Sequence, residues 1–441
     1  AAGGSAPADT WTRVDEGDGE DGDGENGGAA GTDASADSVP PSVARVGAAA
    51  LAGVFSSPEW LALRGKEGGT GLHPLQSAFL DASSERLCRP LQFMFPEAVE
   101  VNEDGVAMPV LPHLPSRYDL NKLDAAVREE LSLADPREGG GELSMTTMIS
   151  RNVVEMVEGF CEVAKGAMSD AGEGGFLREE DCGPTDALLH DMKVVGVLST
   201  LATSIRNVPE NTFIAPYRPA HSTQHEDAAS MCRAALKPAL QEIDNLVRVS
   251  VLTPLCRALN RTVSSAIAKM HQGTYLEEAV EDDLTGRGAG FVQRHLTAVY
   301  EGIAEGHLSK LPPEFASVAA STVATYSIYA FVSNASLVRP LGEMGRLRLT
   351  QDLADFELCL EQLIFKGGSA SSLGQMDGGR PYAELRAVRN MLFWTGLEDK
   401  NAGPADVAKS MLREPWVRDV RPSTAFHFLF SFAPSLLSSP H

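Results

Sequence analysis

The stretch LKPALQEIDNLVRVSVLTPLCRAL, Leu236–Leu259, sets Leu236, Leu240, Ile243, Val247, Val251, Leu255 and Leu259 three or four positions apart. On a helix these side chains form one apolar stripe, whereas on a strand they would scatter over both faces. The segment from about 224 to 272 therefore reads as a long helix or a broken pair. Pro238 and Pro254 interrupt it. Each removes a backbone donor and crowds the preceding turn, so a kink or break is expected beside each.

The same periodicity governs the chain from Leu75 onward. Leu349, Leu353, Phe356, Leu360 and Leu363 share one side of a helix, with Asp352, Asp355, Glu357 and Glu361 expected away from its centre. Further helices are expected near 76–91, 119–134, 144–170, 185–206, 280–306, 313–338, 381–396, 403–413 and 422–432. No alternating β-branched run bounded by turn dipeptides stands out. Glu97–Arg117 and Pro209–Ser222 read as proline-rich connections. The fold class is all-α, an elongated helical rod of successive helical bundles with a disordered acidic N-terminal tail. No fixed-period repeat is visible.

A chain of 441 residues is long enough for two or three domains. The expected division is a tail over 1–45, a first bundle with proline-rich connections over 46–222, and a C-terminal bundle over 223–441. DEGDGEDGDGENGGAAGTDASADS, Asp15–Ser38, alternates small residues with like charges and offers too little apolar area to offset the entropy of ordering. The first 37 residues hold ten acids against one base, Arg13. An EF-hand loop is not matched there, because no glutamate stands at position 32 to close it.

The net charge of −23 argues against a nucleic-acid surface, which needs a clustered positive field. The six cysteines are scattered, without a C-x-x-C pair, and fit a reducing, cytosolic setting better than a disulfide-stapled scaffold. No uninterrupted apolar run approaches the roughly 18 to 20 residues that span a bilayer, and Val46–Phe55 is short and broken by glycine. The expectation is a soluble chain, and its start at AAGG suggests a fragment.

Each stretch that invites a chemical reading also has a structural one. In SLVRPLGEMGRLRLTQDL, Ser336–Leu353, glycines and arginines precede a helix, as anion binding would require. Yet Gly342 and Gly345 are followed by Arg346 and Leu347, which departs from the Walker loop, and the G-x-G of dinucleotide sites is missing. The residues suit a corner in which Asn334–Ser336 close one helix and the glycines let two backbones approach.

In HSTQHEDAA, His221 and His225 stand four apart, but H-E-x-x-H would need a second histidine at Ala229. Ser222 or Thr223 as a helix cap explains the residues without metal. KGGSASSLGQMDGG, Lys366–Gly379, lacks the glycine that a nucleophile elbow would place at Ser371 and reads as a linker. Cys232, Cys256 and Cys359 fall in helical segments as small core residues. Phe426, Phe428, Leu429, Phe430 and Phe432 form an aromatic helix expected to dock on the body rather than on a membrane. No catalytic, cofactor-binding or metal-ligating residue is assigned, and no cofactor is expected.

FVSNASLVRPLGEMGRLRLTQDLADFELCLEQL, Phe331–Leu363, resembles the C-terminal part of the subunit 5 family of the conserved oligomeric Golgi complex. Ala335, Ser336, Leu337, Arg339, Pro340, Leu341, Gly342, Glu343, Gly345, Arg348, Leu349, Asp352, Glu357 and Leu358 stand where that family's pattern asks. Pro74–Pro96, the helix around Asn152–Val163, Leu252–Gln272 and Phe426–Pro440 follow in matching order. The acidic start and the Lys366–Gly379 insert depart from the pattern, and the N-terminal half of a full subunit is missing.

The resemblance implies a non-catalytic, helical-rod tethering subunit acting in intra-Golgi retrograde vesicle transport, on the cytosolic face of Golgi membranes. It implies subunit 7 as nearest partner, subunits 6 and 8 in the same lobe, and SNAREs and Rab-type GTPases as looser partners, with peripheral membrane association through them. Arg339, Pro340, Gly342, Glu343, Gly345, Arg346, Arg348 and Asp352 are the expected joint or partner-binding residues. A helical enzyme with a site assembled from distant residues, and a peripheral lipid-binding protein, are the alternatives from other classes.

Overall fold

A computed structural model describes residues 73–96, 98–101, 107–110, 112–135, 143–169, 171–218, 222–272, 275, 290–339, 341–367, 373–374, 379–396 and 403–432. The expected disordered tail, His221, Pro340, the start of the helix expected at 280–306 and most of the Lys366–Gly379 linker lie outside them.

The first helices are α1 (His73–Cys88), α2 (Arg117–Ser132), α3 (Leu143–Ala167), α4 (Asp186–Phe213), α5 (Thr223–Ala235), α6 (Lys237–Val247) and α7 (Thr253–Ala268). After them come α8 (Phe291–His295), α9 (Thr297–Gly302), α10 (Pro313–Ser336), α11 (Glu343–Lys366), α12 (Arg380–Leu392), α13 (Pro404–Met411) and α14 (Pro422–Phe432). Local chemistry fixes many of the starts. Ser116 and Asp119 exchange side-chain-to-backbone bonds ahead of α2, and Thr185 accepts from Leu188 N–H at the head of α4. Proline occupies the first turn of α6, α10, α12 and α13, where its missing N–H would be unpaired anyway.

The stripe that decides the fold is buried as the spacing predicts, with Leu236, Ile243, Val247, Val251, Leu255 and Leu259 inside and Leu240 half-buried. Pro238 opens α6. Pro254 is met by a π turn, Arg248–Leu252, closed by a bond from Thr253 N–H to the Arg248 carbonyl. The widened turn absorbs the lost donor, so α6 and α7 follow one another as a single helical run.

The described residues from Leu75 onward form one compact unit. Within it, α2 and α5 pack on α4, and α5 and α6 pack on α3. Beyond the π turn α7 packs on α10, and α10 is flanked by α11, α12 and α14. The change of packing partners therefore comes at the π turn, since α5, which follows residue 222, belongs with α3 and α4. Among the described residues two helices, α4 with its following turn and α10, are long and apolar enough to cross a membrane, but about half of each such window, 50% and 56%, is buried against neighbours. They are the central core helices. Phe331 of α10 stacks on Phe356 of α11 with ring centroids 4.2 Å apart.

The all-α class holds, with two local corrections. Ala98–Val101 and Ala107–Val110 pair as an antiparallel hairpin, Ala98 opposite Val110, inside the stretch expected to be irregular. In addition, α4 does not stop at Arg206 but runs through Pro209 to Phe213. Val208, Thr212 and Phe213 are buried there. Two large apolar side chains, at about 1.5–3 kcal/mol each, outweigh the roughly 3 kcal/mol cost of an interior proline.

Candidate functional site

The corner between α10 and α11 is built from the end of one helix and the start of the next. Leu337 and Val338 N–H groups bond back to Asn334 and Ala335 carbonyls at 3.0 and 3.3 Å, so Asn334–Ser336 close α10 as read from the sequence. Gly342 is the N-cap of α11, in extended backbone, and its carbonyl accepts from Arg346 N–H at 2.9 Å. Gly345 is buried, and a β-carbon there would overlap the Tyr275 carbonyl oxygen and lie 3.1 Å from Leu341 Cδ1. The space beside this helix start is filled by protein backbone.

Asp352 lies about two helical turns further along α11. It is 3% exposed, so it is buried with the stripe whose centre it was expected to lie away from. The expectation grouped it with Asp355, Glu357 and Glu361, none of which is fully buried. Its carboxylate accepts the Tyr275 hydroxyl at 2.9 Å and the Val292 N–H at 3.5 Å, and the Phe291 N–H also faces it. These last two groups are the unpaired donors of the first turn of α8, so Asp352 acts across space as the cap of that helix. Gly290 leaves the room, because a β-carbon there would meet Asp352 Oδ1 at 2.8 Å.

Burial raises the Asp352 pKa above the usual carboxylate range, with the Tyr275 and backbone donors partly offsetting it. Burial also raises the Tyr275 phenol, and the neighbouring Asp352 charge adds to it. Tyr275 is thereby kept as a hydroxyl donor.

The remaining corner residues face outward or sideways. Glu343 is exposed in the first turn of α11, where the helix dipole favours it. The Arg339 guanidinium lies 5.3 Å from the Phe430 ring centroid. Arg346 and Arg348 are half-buried, and the Arg348 charge reaches the Tyr275 hydroxyl. The structure thus brings Gly345 and Asp352 together around Tyr275 and directs Arg339 toward α14.

Sequence reading missed Tyr275, Gly290 and a second buried polar junction. Glu384 on α12, 2% exposed, accepts from Arg421 Nε at 2.8 Å, Arg421 N–H at 3.2 Å and Thr424 Oγ1 at 3.0 Å. Arg421 also reaches Ser333 Oγ at 3.2 Å and lies over the Tyr329 ring. This ties α12 and the start of α14 to the last turns of α10. Farther along α14, Phe428 is fully buried and Ser431 Oγ donates to the Ser336 carbonyl at 3.3 Å, so the helix docks on the body as expected. Phe426 and Phe430 remain exposed.

In the segment read as a helix cap, Ser222 and His225 form the capping pair of α5. His225 Nδ1 accepts the N–H of half-buried Ser222 at 3.1 Å, and its Nε2 faces Asp135 Oδ1 at 3.6 Å, with His225 and Asp135 both buried. A cavity between α9 and α11, beside Tyr300 and Cys359, has room for about one water molecule.

The chain is similar along most of its length to subunit 5 of the conserved oligomeric Golgi complex. It is 24% identical to the subunit of Mus musculus over 372 residues, covering 84% of this chain and 38% of that protein. It is 24% identical to that of Arabidopsis thaliana over 378 residues, covering 83% and 38%. The chain therefore spans 38% of the length of these curated relatives. No family model and no solved structure matches it. The likeness read in Phe331–Leu363 is thus one part of a similarity that extends over most of the chain.

Proposed function

We propose that this chain is a non-catalytic subunit of a Golgi vesicle-tethering complex and works through protein–protein contacts in intra-Golgi retrograde transport and Golgi organisation. The observation that carries the reading is its similarity over 84% of its length to a protein named as subunit 5 of the conserved oligomeric Golgi complex. The corner chemistry agrees with it. Gly345 and Asp352 are spent on holding α11, Tyr275 and α8 together, which is the work of a joint in a helical scaffold.

On this reading subunit 7 is the nearest partner, with subunits 6 and 8 in the same lobe and SNAREs and Rab-type GTPases as looser contacts. The chain sits in the cytosol and on the cytosolic face of Golgi membranes, held there by partners. Its two bundles and the corner Arg339, Pro340, Gly342, Glu343, Gly345, Arg346, Arg348 and Asp352 set the angles at which partner surfaces are offered.

The test is to mix the purified chain with recombinant subunit 7 at physiological salt and measure co-elution and affinity. Stable co-elution supports the reading. A folded, helical chain that binds none of subunits 6, 7 and 8 counts against it.

A further inference from the structure

Helix α11 has two apolar faces, and one of them is in water. The inner face buries Leu349, Leu353, Phe356, Leu360 and Leu363. On the opposite side Met344, Leu347, Gln351, Ala354, Leu358, Glu361 and Phe365 are all exposed, at alternating steps of three and four. That spacing is the a/d seam of a coiled coil, extending over about 32 Å at 1.5 Å per residue. The outer face of a one-sided helix is ordinarily charged. Here Met344, Leu347, Leu358 and Phe365 are 43%, 52%, 54% and 82% exposed. Ala354 at mid-seam leaves room for a close neighbour.

We propose that this outer seam of α11 docks one helix of a partner protein, whose own apolar seam is flanked by lysine or arginine. A straight seam with this spacing admits the ridges of a nearly parallel or antiparallel helix. The sign of the partner's flanks comes from the charges beside the seam. Glu343 and Asp355 border it and Glu361 interrupts it, whereas Arg348 is the one base at the bordering positions among the described residues of α11. Glu357 is already held by Arg389 and Tyr382, and Lys366 by Glu305.

A second copy of this chain fits poorly. Packed antiparallel about Ala354 it would set Asp355 near its own copy, and packed parallel it would set Glu361 against itself inside the seam. An anionic bilayer is opposed by the same acids and by the net charge of −23. One helix seam of this length covers only a few hundred Å², well under the roughly 800 Å² per side of a standard interface. The docked helix therefore belongs to a partner that makes further contacts, and alone it binds weakly. This inference stands on the exposed face and not on the tethering reading.

The probe is a labelled synthetic helix of about three heptads with leucine at a and d and lysine at e and g. Its binding to the full 441-residue chain is measured by fluorescence anisotropy at physiological salt. Two controls are a peptide of the same composition in scrambled order and the heptad peptide with glutamate at e and g. The lysine heptad peptide is expected to bind saturably, with both controls at least about tenfold weaker. The double variant Leu347→Gln, Leu358→Gln is expected to weaken it by about tenfold or more with unchanged thermal melting.

Equal binding of the scrambled peptide, indifference to the double variant, or no binding of the lysine peptide overturns the proposal. So does a dimer in light scattering that the double variant dissociates, which would give the seam to a second copy.

Discussion

Tyr275 donates its hydroxyl to the buried carboxylate of Asp352 at 2.9 Å, across 77 positions of sequence. The same carboxylate receives the opening N–H groups of α8, so one side chain binds both Tyr275 and the start of α8 to α11. Replacing Asp352 by leucine keeps the γ-branched shape, with greater bulk, and removes the acceptor, leaving a phenol and two amides unpaired. The expected loss is about 2–3 kcal/mol in urea denaturation. Asparagine retains one acceptor oxygen and should lose about 1 kcal/mol or less. Equal losses in the two variants would show that the acceptor is not what matters.

The same pair predicts a pH signature. Burial raises the Asp352 pKa, so the folded state holds this proton more tightly than the unfolded chain does. Its contribution to stability therefore falls as pH rises from the ordinary aspartate value through the raised one, and is level above that. Asp352→Asn removes this component. A difference between wild type and variant that stays constant from about pH 7 to about pH 4 would contradict it.

Gly342 and Gly345 should respond differently to substitution, although they sit three residues apart. Gly345 faces the Tyr275 carbonyl, so even alanine forces the backbone to move, with an expected loss of about 1–3 kcal/mol, and valine loses more. Gly342 is an N-cap in extended backbone open to any residue, and serine there supplies a capping oxygen, gaining a few tenths of a kcal/mol. Chemical denaturation of the four variants, Gly345→Ala, Gly345→Val, Gly342→Ser and Gly342→Val, separates the roles. Matching losses at both positions would mean that both are close-packed.

The helices were legible because their signal is local and repeated. The stripe from Leu236 to Leu259 needs no knowledge of what it packs on, and prolines mark starts by a rule of the first turn. The hairpin was hidden because its two strands are only four residues each, too short to show alternation. Pro209 misled because a local rule yielded to burial on both sides of it. The glycine corner was found from its wording, but the partner of Gly345 was not. Tyr275 lies 77 positions from Asp352, and Glu384 lies 37 from Arg421, with nothing local to pair them. Asp352 is buried although the spacing set it away from the centre of the stripe, because three donors distant in sequence meet its carboxylate in the interior.

The cysteines should separate sharply by reactivity. Burial pushes the thiols of Cys161, Cys232 and Cys256 up to about 12, 11 and 11, while Cys182 is exposed. Only the thiolate reacts, so iodoacetamide at about pH 8 should alkylate native Cys182 well before these three. Mass spectrometry of peptides taken over a time course reads the order. Early modification of Cys232 or Cys256 would show that α5 and α7 open more readily than their packing implies.

His307 makes acidification destabilising through one buried ring. It lies in the π turn Ile303–His307 and is 2% exposed, with Nε2 donating to the Cys182 carbonyl at 3.0 Å. The proton is thus on Nε2, and Nδ1 is buried with no hydrogen-bond partner. A second proton on Nδ1 would create a buried charge. Burial accordingly lowers the His307 pKa, with the Cys182 carbonyl and the Asp181 charge only partly offsetting it.

For a lowered imidazole the unfolded chain binds the proton more tightly, so the stabilising contribution is complete above the ordinary value of about 6.5 and is lost as pH falls below it. His307→Gln keeps an N–H donor for the Cys182 carbonyl and cannot titrate. Urea midpoints at about pH 7.5 and about pH 5.5 should therefore fall further for the wild type than for this variant. Parallel falls in both proteins would show that the acid sensitivity arises elsewhere.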